Sequence, residues 1–312
     1  MIPASVLGLI GAGGRLGEGP PVEPEALWTP APARRVCLPR AGLSVWCLDT
    51  GGPGDPVVLV HGLSSTMGYW RYQVQALVES GRRVLALDLP GFGASDKPDA
   101  PYTPRWYSEV VLEWLEVQGL GPIPLAGHSM GGQVALHLVL QAPERISRLV
   151  LAAPAGVETF SPAAATWMRD YWHATRALEA TPEEVRANFT ALAFNRVDDD
   201  VLRLLDERVR LQRHPCYRDV SRAVSRCVRG MLDQPVAARL REISVPTLFI
   251  WGNRDRMIPN PVFNPGPTRA IAERGAAAIP GSRLVVLPGA GHMVMHDDPR
   301  GFNSALIGFL DP

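Results

Sequence analysis

Three residues that could together perform nucleophilic catalysis each follow an apolar segment of the sequence. Ser129 comes after the apolar residues 123–126, Asp255 after residues 246–251, and His292 after residues 284–287. A serine hydroxyl becomes a strong nucleophile when a nearby base takes its proton and a third group orients that base. These three residue types predict attack on a carbonyl by Ser129, with His292 as the base and Asp255 as its partner.

The residues around the serine predict a tight turn between a strand and a helix. Residues 127–131 read G-H-S-M-G, and a helical apolar pattern follows over residues 134–139. Such a turn exposes the hydroxyl and leaves the following backbone N–H groups free to bind an anion. Glycines are expected at 127 and 131 because a Cβ there would clash with neighbouring backbone.

The elements that must position these residues alternate between strands and helices. This order predicts an α/β fold with a mostly parallel central sheet flanked by helices. Because strand ends in such a sheet share one edge, we expect Ser129, Asp255 and His292 to meet there. The predicted strands span residues 35–38, 43–48, 57–60, 83–87, 123–126, 148–152, 246–251 and 284–287, and the predicted core helices span 69–79, 103–117, 267–278 and 299–310.

Residues 156–241 contain no convincing buried strand and predict an all-helical cap insertion. Thr181, followed by a proline and two glutamates, is typical of a helix start. The predicted domains are an N-terminal arm (1–33), an α/β core (34–155 and 242–312) and the cap (156–241). The many arginines of the cap are interpreted as a solvated surface, with a site for an anionic substrate as the alternative.

Five short motifs carry a resemblance to the α/β-hydrolase fold family, in particular to its serine esterase and lipase-like members with a helical cap. The motifs are H-G-L (61–63), D-L-P-G-F-G-A-S-D (88–96), G-H-S-M-G-G (127–132), G-N-R-D (252–255) and G-A-G-H (289–292). The resemblance covers roughly residues 36–310, and Ser129, Asp255 and His292 follow the family's chain order. It implies an oxyanion hole made by the backbone N–H groups of Leu63 and Met130, and it implies no metal or organic cofactor.

The predicted function is hydrolysis of a small-molecule carboxylic ester through an acyl-enzyme. Carbon–carbon bond hydrolysis of dienoate-type diketones is the main alternative. The loop H-G-L-S-S lacks the additional glycines expected of that group, and Met293 stands where it often has tryptophan. Perhydrolase or acyltransferase activity, and a ligand-binding receptor on the same fold, also stay open. Serine at 129 argues against epoxide hydrolases and haloalkane dehalogenases, which resemble this chain but use aspartate there.

Several further residues have both a functional and a structural interpretation. Four aromatic residues are candidates for a substrate pocket, with ordinary packing as the alternative: Trp70, Phe92, Trp167 and Trp172. His61 and His128 are expected to be structural, and His296 is a rival base. Asp88 and Asp96 are expected to hold the loop beside the site, and Asp297 and Asp298 to begin the last helix.

Composition indicates an ordinary globular protein of 312 residues with 46% apolar residues and a formal net charge of zero, so nothing points to a nucleic-acid partner. The four cysteines have no metal or redox spacing, although a bridge between Cys37 and Cys47 stays open. A reduced, cytoplasmic location is expected.

Residues 1–17 are apolar but too short to span a bilayer, and no transmembrane segment is predicted. Export or surface association through this arm stays open. The sequence predicts no oligomeric state.

Overall fold

The computed structural model of the protein describes residues 33–311, and an eight-stranded sheet lies at its centre. The strand order is β1-β2-β4-β3-β5-β6-β7-β8. Strand β2 pairs antiparallel with both β1 and β4, whereas the strands from β4 to β8 all pair parallel. The strands are β1 (Ala33–Leu38), β2 (Leu43–Asp49), β3 (Pro56–Val60), β4 (Arg83–Leu87), β5 (Ile123–His128), β6 (Ile146–Ala152), β7 (Thr247–Gly252) and β8 (Arg283–Leu287).

Helices cover both faces of this sheet. The helices are α1 (Arg71–Glu79), α2 (Pro104–Val117), α3 (Met130–Gln141), α4 (Pro162–Tyr171), α5 (Pro182–Leu192), α6 (Asp199–Gln212), α7 (Tyr217–Asp233), α8 (Thr268–Ala278), α9 (Val294–Asp297) and α10 (Pro299–Leu310). In β3, Val58 and Val60 pack into the cluster that contains the apolar faces of α2, α3 and α8, whereas Val57 and Leu59 pack with α1 and α10. Because successive strand residues point to opposite faces, a strand buried on both faces is apolar throughout. The predicted mostly parallel sheet flanked by helices is confirmed.

Local sequence signals position the starts of several helices. Thr103 accepts a hydrogen bond from the Trp106 amide at the start of α2. Thr181 and Glu184 form a reciprocal capping box at the start of α5, which satisfies two amides that the helix leaves unpaired. The predicted helix starts at these two positions are confirmed.

Between β6 and β7 the described chain contains the four helices α4–α7 and no strand. We call residues 156–241 the helical insertion. Within it, α4 packs against α7 and α5 against α6. The division of the chain into separate domains stays a prediction. The predicted arm (1–33) lies outside the described residues except for residue 33, which begins β1.

The hairpin of β1 and β2 does not place Cys37 and Cys47, the two candidates for a disulfide bridge, opposite each other. Cys37 lies opposite Ser44, and Cys47 lies opposite Arg34. All four cysteines are free thiols. Among residues 33–311, no helix is both long and apolar enough to cross a membrane.

Candidate active site

Ser129 lies at the turn between β5 and α3 in a backbone conformation that few residues adopt. Its φ is 52° and its ψ is −117°. Neighbouring backbone is close enough to require glycine on both sides, because a Cβ at Gly127 would lie 2.4 Å from the Gly131 oxygen and a Cβ at Gly131 would lie 2.4 Å from the His61 oxygen. The close packing of the flanking backbone maintains this unfavourable conformation of Ser129. The sharp turn leaves the Ser129 side chain partly exposed at the end of β5.

The structure brings together the three residues predicted from the sequence. His292 Nε2 lies 3.0 Å from Ser129 Oγ, and His292 Nδ1 lies 2.9 Å from Asp255 Oδ2. His292 and Asp255 are buried. They follow β8 and β7, so all three residues lie at the carboxyl edge of the sheet. This hydrogen-bonded chain can move a proton from the serine hydroxyl to the imidazole and hold the positive charge that results.

Asp255 accepts hydrogen bonds from four donors. Oδ1 accepts from the backbone amides of Met257 at 2.8 Å and Ile258 at 3.0 Å, and Oδ2 accepts from Trp251 Nε1 at 3.0 Å and from His292. Trp251 is buried in β7, four residues before the aspartate. The sequence does not predict this contact, since a tryptophan in an apolar strand indicates only packing.

Two backbone amides beside Ser129 are free to bind an anion. The Met130 N–H begins α3, and the Leu63 N–H belongs to the loop after β3. Neither amide donates a hydrogen bond to another residue of the described chain. The loop lies against the serine, because a Cβ on Gly62 would be 3.1 Å from Ser129 Cβ. The two amides predicted for an oxyanion hole are therefore adjacent to Ser129 and unoccupied by protein acceptors.

His61 fixes the loop that carries Leu63. Its Nε2 accepts from the Leu89 amide at 2.9 Å, so the proton is on Nδ1, which donates to the Gly62 carbonyl at 2.8 Å. Burial lowers the pKa of His61 to about 4, which keeps the ring neutral. These contacts agree with the structural role predicted for His61.

His128 and His296 are also buried and bonded to backbone. His128 Nε2 donates to the His292 carbonyl at 3.1 Å, and burial holds the pKa of His128 well below its usual range. His296 lies in α9, where its Nε2 donates to the Tyr69 carbonyl at 2.7 Å, and burial lowers the pKa of His296 to about 4. The Nε2 of His296 is hydrogen-bonded to a backbone carbonyl, whereas the Nε2 of His292 faces Ser129 Oγ. The geometry therefore favours His292 as the base.

The remaining acidic residues have structural contacts. Asp88 accepts from the Met67 and Ala94 amides, and burial raises the pKa of Asp88 to about 6. Asp96 accepts from the Ser44 amide and pairs with an arginine of β1, so both residues hold the loop after β4 as predicted.

Asp298 caps α10 through the Gly301 amide, as predicted, but Asp297 does not begin that helix. Instead it ends α9 and binds amides of the helical insertion and of the loop before His292, because its carboxylate is turned away from α10.

A cavity of about 30 Å³ lies between the loop after β3 and the helical insertion. Its lining includes Phe92, Tyr69, Leu204 and Tyr217. Its volume corresponds to roughly two water molecules. Of the four aromatic residues predicted for a substrate pocket, Phe92 alone is among the described residues that line this cavity.

The three tryptophans of that prediction pack elsewhere. Trp70 is fully buried in the core, where its ring lies 6.2 Å from that of Phe302. Trp167 is 39% exposed and stacks on Tyr171. Trp172 packs against the core from the helical insertion. The described contacts of these three tryptophans are therefore packing contacts, the alternative to a role in a substrate pocket. Across residues 33–311, no three His, Cys, Asp or Glu side chains are grouped as metal ligands.

Comparison with known proteins finds many relatives of similar architecture. A profile of the alpha/beta hydrolase family matches residues 57–305. A solved structure described as a probable hydrolytic enzyme of Pseudomonas aeruginosa superimposes with a TM-score of 0.84 and 26% identity, covering 92% of this chain and 96% of the other. A thermophilic esterase of Thermogutta terrifontis, solved with malate bound, gives a TM-score of 0.71 and 25% identity, covering 90% and 98%. An uncharacterised protein of Mycobacterium tuberculosis is 29% identical over 271 residues, which cover 83% of this chain and 76% of that protein.

Proposed function

The chain belongs to the alpha/beta hydrolase family, and from this premise we propose that it is a serine hydrolase that cleaves carboxylic esters through an acyl-enzyme intermediate. The observation that carries the proposal is the hydrogen-bonded chain from Ser129 Oγ through His292 to Asp255. The similarity to a thermophilic esterase at 25% identity supports the choice of an ester substrate.

In the proposed first step, Ser129 Oγ attacks the ester carbonyl while His292 Nε2 takes the hydroxyl proton. The Asp255 carboxylate stabilises the imidazolium, and the Leu63 and Met130 amides donate to the oxygen that becomes negative. Losing one such donor typically costs about 3 kcal/mol of transition-state stabilisation.

The tetrahedral intermediate then collapses, and the imidazolium gives its proton to the leaving alcohol. Water, deprotonated by His292, attacks the acyl-enzyme in the same way and releases the acid and the free Ser129 hydroxyl. Another acyl acceptor in place of water would give acyl transfer, and the same geometry serves both outcomes.

A fluorophosphonate probe tests the nucleophile. We expect rapid labelling of the wild-type protein, none of Ser129→Ala, and unchanged labelling of Ser161→Ala, whose serine caps α4 in the helical insertion. Ester hydrolysis should fall to the background rate in Ser129→Ala alone. Absence of labelling in folded wild-type protein, or equal labelling of Ser129→Ala, would contradict the proposal.

The bond that is cut is tested with nitrophenyl esters of increasing acyl length beside a dienoate diketone. We expect at least one ester of the series to have a higher kcat/KM than the diketone. A diketone rate far above that of every ester would replace ester cleavage by carbon–carbon bond hydrolysis.

A further inference from the structure

A side chain from the helical insertion reaches the loop that carries Leu63. Arg208 lies on α6, and its Nη1 donates a hydrogen bond to the Ser64 carbonyl. Its guanidinium lies over the ring of Phe189 on α5, 3.8 Å from the ring centroid. The stacking holds the cation in one orientation, so the bond to Ser64 is directed rather than incidental.

The Ser64 carbonyl belongs to a peptide group that is bonded on its other side. The N–H of this peptide is that of Ser65, which donates to the Gly62 carbonyl at 3.2 Å. The Gly62 carbonyl in turn shares its peptide group with the Leu63 N–H. Since the carbonyl and N–H of a trans peptide point in opposite directions, a bond that fixes the one also fixes the other.

These contacts form a relay of two peptide groups that starts at the Arg208 guanidinium and ends at the Leu63 N–H. We propose that Arg208 is a positioning residue for the oxyanion hole, acting through the Ser64–Ser65 and Gly62–Leu63 peptides. The inference rests on the function proposed above, in which the Leu63 amide binds the developing oxyanion.

The relay has both a geometric and an electrostatic effect. Ser64 has a φ of 53°, a conformation unfavourable for a residue with a Cβ, and the contact with Arg208 helps to hold it. A cation at the start of a hydrogen-bond chain also polarises each peptide in turn, which makes the last N–H a stronger donor.

His61 alone cannot replace this contact. It donates to the same Gly62 carbonyl, but it does so as a neutral ring, since burial holds its pKa low. Arg208 therefore supplies the one positive charge that the described contacts place on this relay.

The relay also links the helical insertion to the chemistry. Leu204, Leu211 and Arg208 line the cavity beside the loop, so α6 contacts the loop where the relay begins.

The test compares Arg208→Met with Arg208→Lys. Methionine keeps an unbranched side chain but has no charge or donor, whereas lysine keeps both. Arg210→Met is the matched control, because Arg210 is exposed on the same helix and lines an outer groove instead. Each variant is assayed with a short nitrophenyl ester and with the corresponding thionoester, whose sulfur accepts hydrogen bonds weakly.

We expect Arg208→Met to lower kcat for the oxygen ester about tenfold to a hundredfold, less than the loss of a whole oxyanion donor. In Arg208→Met, KM should change little, and the thionoester rate should fall less than the ester rate. Arg208→Lys should recover part of the loss in kcat, and Arg210→Met should have the kcat of the wild type. Equal losses on ester and thionoester, or a rise in KM alone, would show that Arg208 only holds the helix and would overturn the proposal.

If Arg208→Met does not fold, Arg208→Lys and Arg208→Gln decide the question, because glutamine donates without a charge. The relay predicts a higher kcat for the lysine variant, and an equal or higher kcat for glutamine would overturn it. An unreactive wild-type protein in the fluorophosphonate experiment would instead remove the proposed function. A reactive wild type with an equally fast Arg208→Met would remove only the relay.

Discussion

At the scale of single residues, the surroundings of Asp255 favour a carboxylate over an amide side chain. All four of its partners are donors: two backbone amides, the Trp251 indole and His292. The two oxygens of a carboxylate can accept from all four donors. The side-chain amide of an asparagine has one oxygen and one NH₂ group, and the NH₂ group would have to face another donor. An aspartate at this position can therefore accept from all four donors and stabilise a neighbouring imidazolium, whereas an asparagine cannot.

Asp255→Asn is expected to lower kcat by about 10⁴-fold, because its amide would turn an N–H toward His292 and favour the wrong tautomer of the base. It should also lower the free energy of unfolding by roughly 1–3 kcal/mol, since buried donors lose their acceptor. Steady-state kinetics on a nitrophenyl ester and urea unfolding measure the two effects.

Glu158→Gln is the matched control for Asp255→Asn. Glu158 is a buried carboxylate that binds the Asn260 amide and the Asn264 side chain through one oxygen, which glutamine can replace. Its kcat should stay near that of the wild type. A comparable loss in Glu158→Gln, or a nearly active Asp255→Asn, would contradict the role proposed for Asp255.

The three residues of the hydrogen-bonded chain could be predicted because their signals are local. Each follows a strand whose apolar residues are consecutive, and the strand ends of a parallel sheet meet at one edge. Trp251 could not be predicted as a partner of Asp255, because its side-chain direction depends on how the chain turns after β7. The contacts of Asp297 could not be predicted for the same reason. Its position before a helix predicts a helix cap, but its carboxylate is directed to other amides.

At the scale of elements, Asp297 joins the helical insertion to the loop that carries His292. Its carboxylate accepts from the Asn195 and Arg196 amides of the insertion and from the Gly291 amide at 2.7 Å. The Met293 amide adds a backbone bond to the Ala193 carbonyl at 2.9 Å. The segment between α5 and α6 is thus attached beside the catalytic edge of the sheet.

Asp297→Asn should loosen this attachment, because an amide group can accept through only one oxygen. The expected loss is about 1–3 kcal/mol in the free energy of unfolding. Hydrogen exchange at the Asn195 and Arg196 amides should become faster.

The adjacent variant Asp298→Asn is the control, since the Asp298 carboxylate accepts from the Gly301 amide at the start of α10 and, within residues 33–311, from no amide of the insertion. It should leave exchange at residues 195 and 196 unchanged. Equal exchange in both variants and the wild type would show that Asp297 does not hold the insertion.

Element positions could largely be predicted from the sequence, whereas their attachments could not. The start of α2 at Thr103 and of α5 at Thr181 depends on side chains within one turn of the helix. The contacts of Arg208 and Asp297 with their loops join residues more than 100 positions apart. Such contacts depend on how the insertion packs on the core, which no local pattern specifies.

At the scale of the whole molecule, buried titratable groups act on stability in two opposite directions. Burial lowers the pKa of His61 and of His296 from 6.5 to about 4, so between these values the unfolded chain binds more protons than the folded one. Stability therefore falls as the pH drops from 6.5 to 4. Burial raises the pKa of Asp88 from 3.8 to about 6, so there the folded state binds more protons, and stability rises as the pH drops from 6 to 4.

The magnitudes decide which direction dominates. Each histidine loses roughly 3 kcal/mol by pH 4, at 1.36 kcal/mol per pKa unit, and Asp88 gains roughly 3 kcal/mol. The two histidines thus outweigh the aspartate by roughly 3 kcal/mol, and His128, whose pKa burial also lowers, adds to the loss. This is a large part of the 5–15 kcal/mol that typically stabilises a folded protein, so the free energy of unfolding should be clearly lower at pH 4 than at pH 7.

His296→Gln tests this balance without touching Ser129, His292 or Asp255. The glutamine amide can donate to the Tyr69 carbonyl that His296 Nε2 binds, and glutamine has no proton to gain in acid. In urea unfolding followed by tryptophan fluorescence, the wild type should lose roughly 3 kcal/mol more than His296→Gln between pH 7 and pH 4. Ester hydrolysis at pH 7 should be the same in both, because His296 does not bind the nucleophile. Parallel stability curves for the two proteins would show that protonation of His296 does not drive acid unfolding.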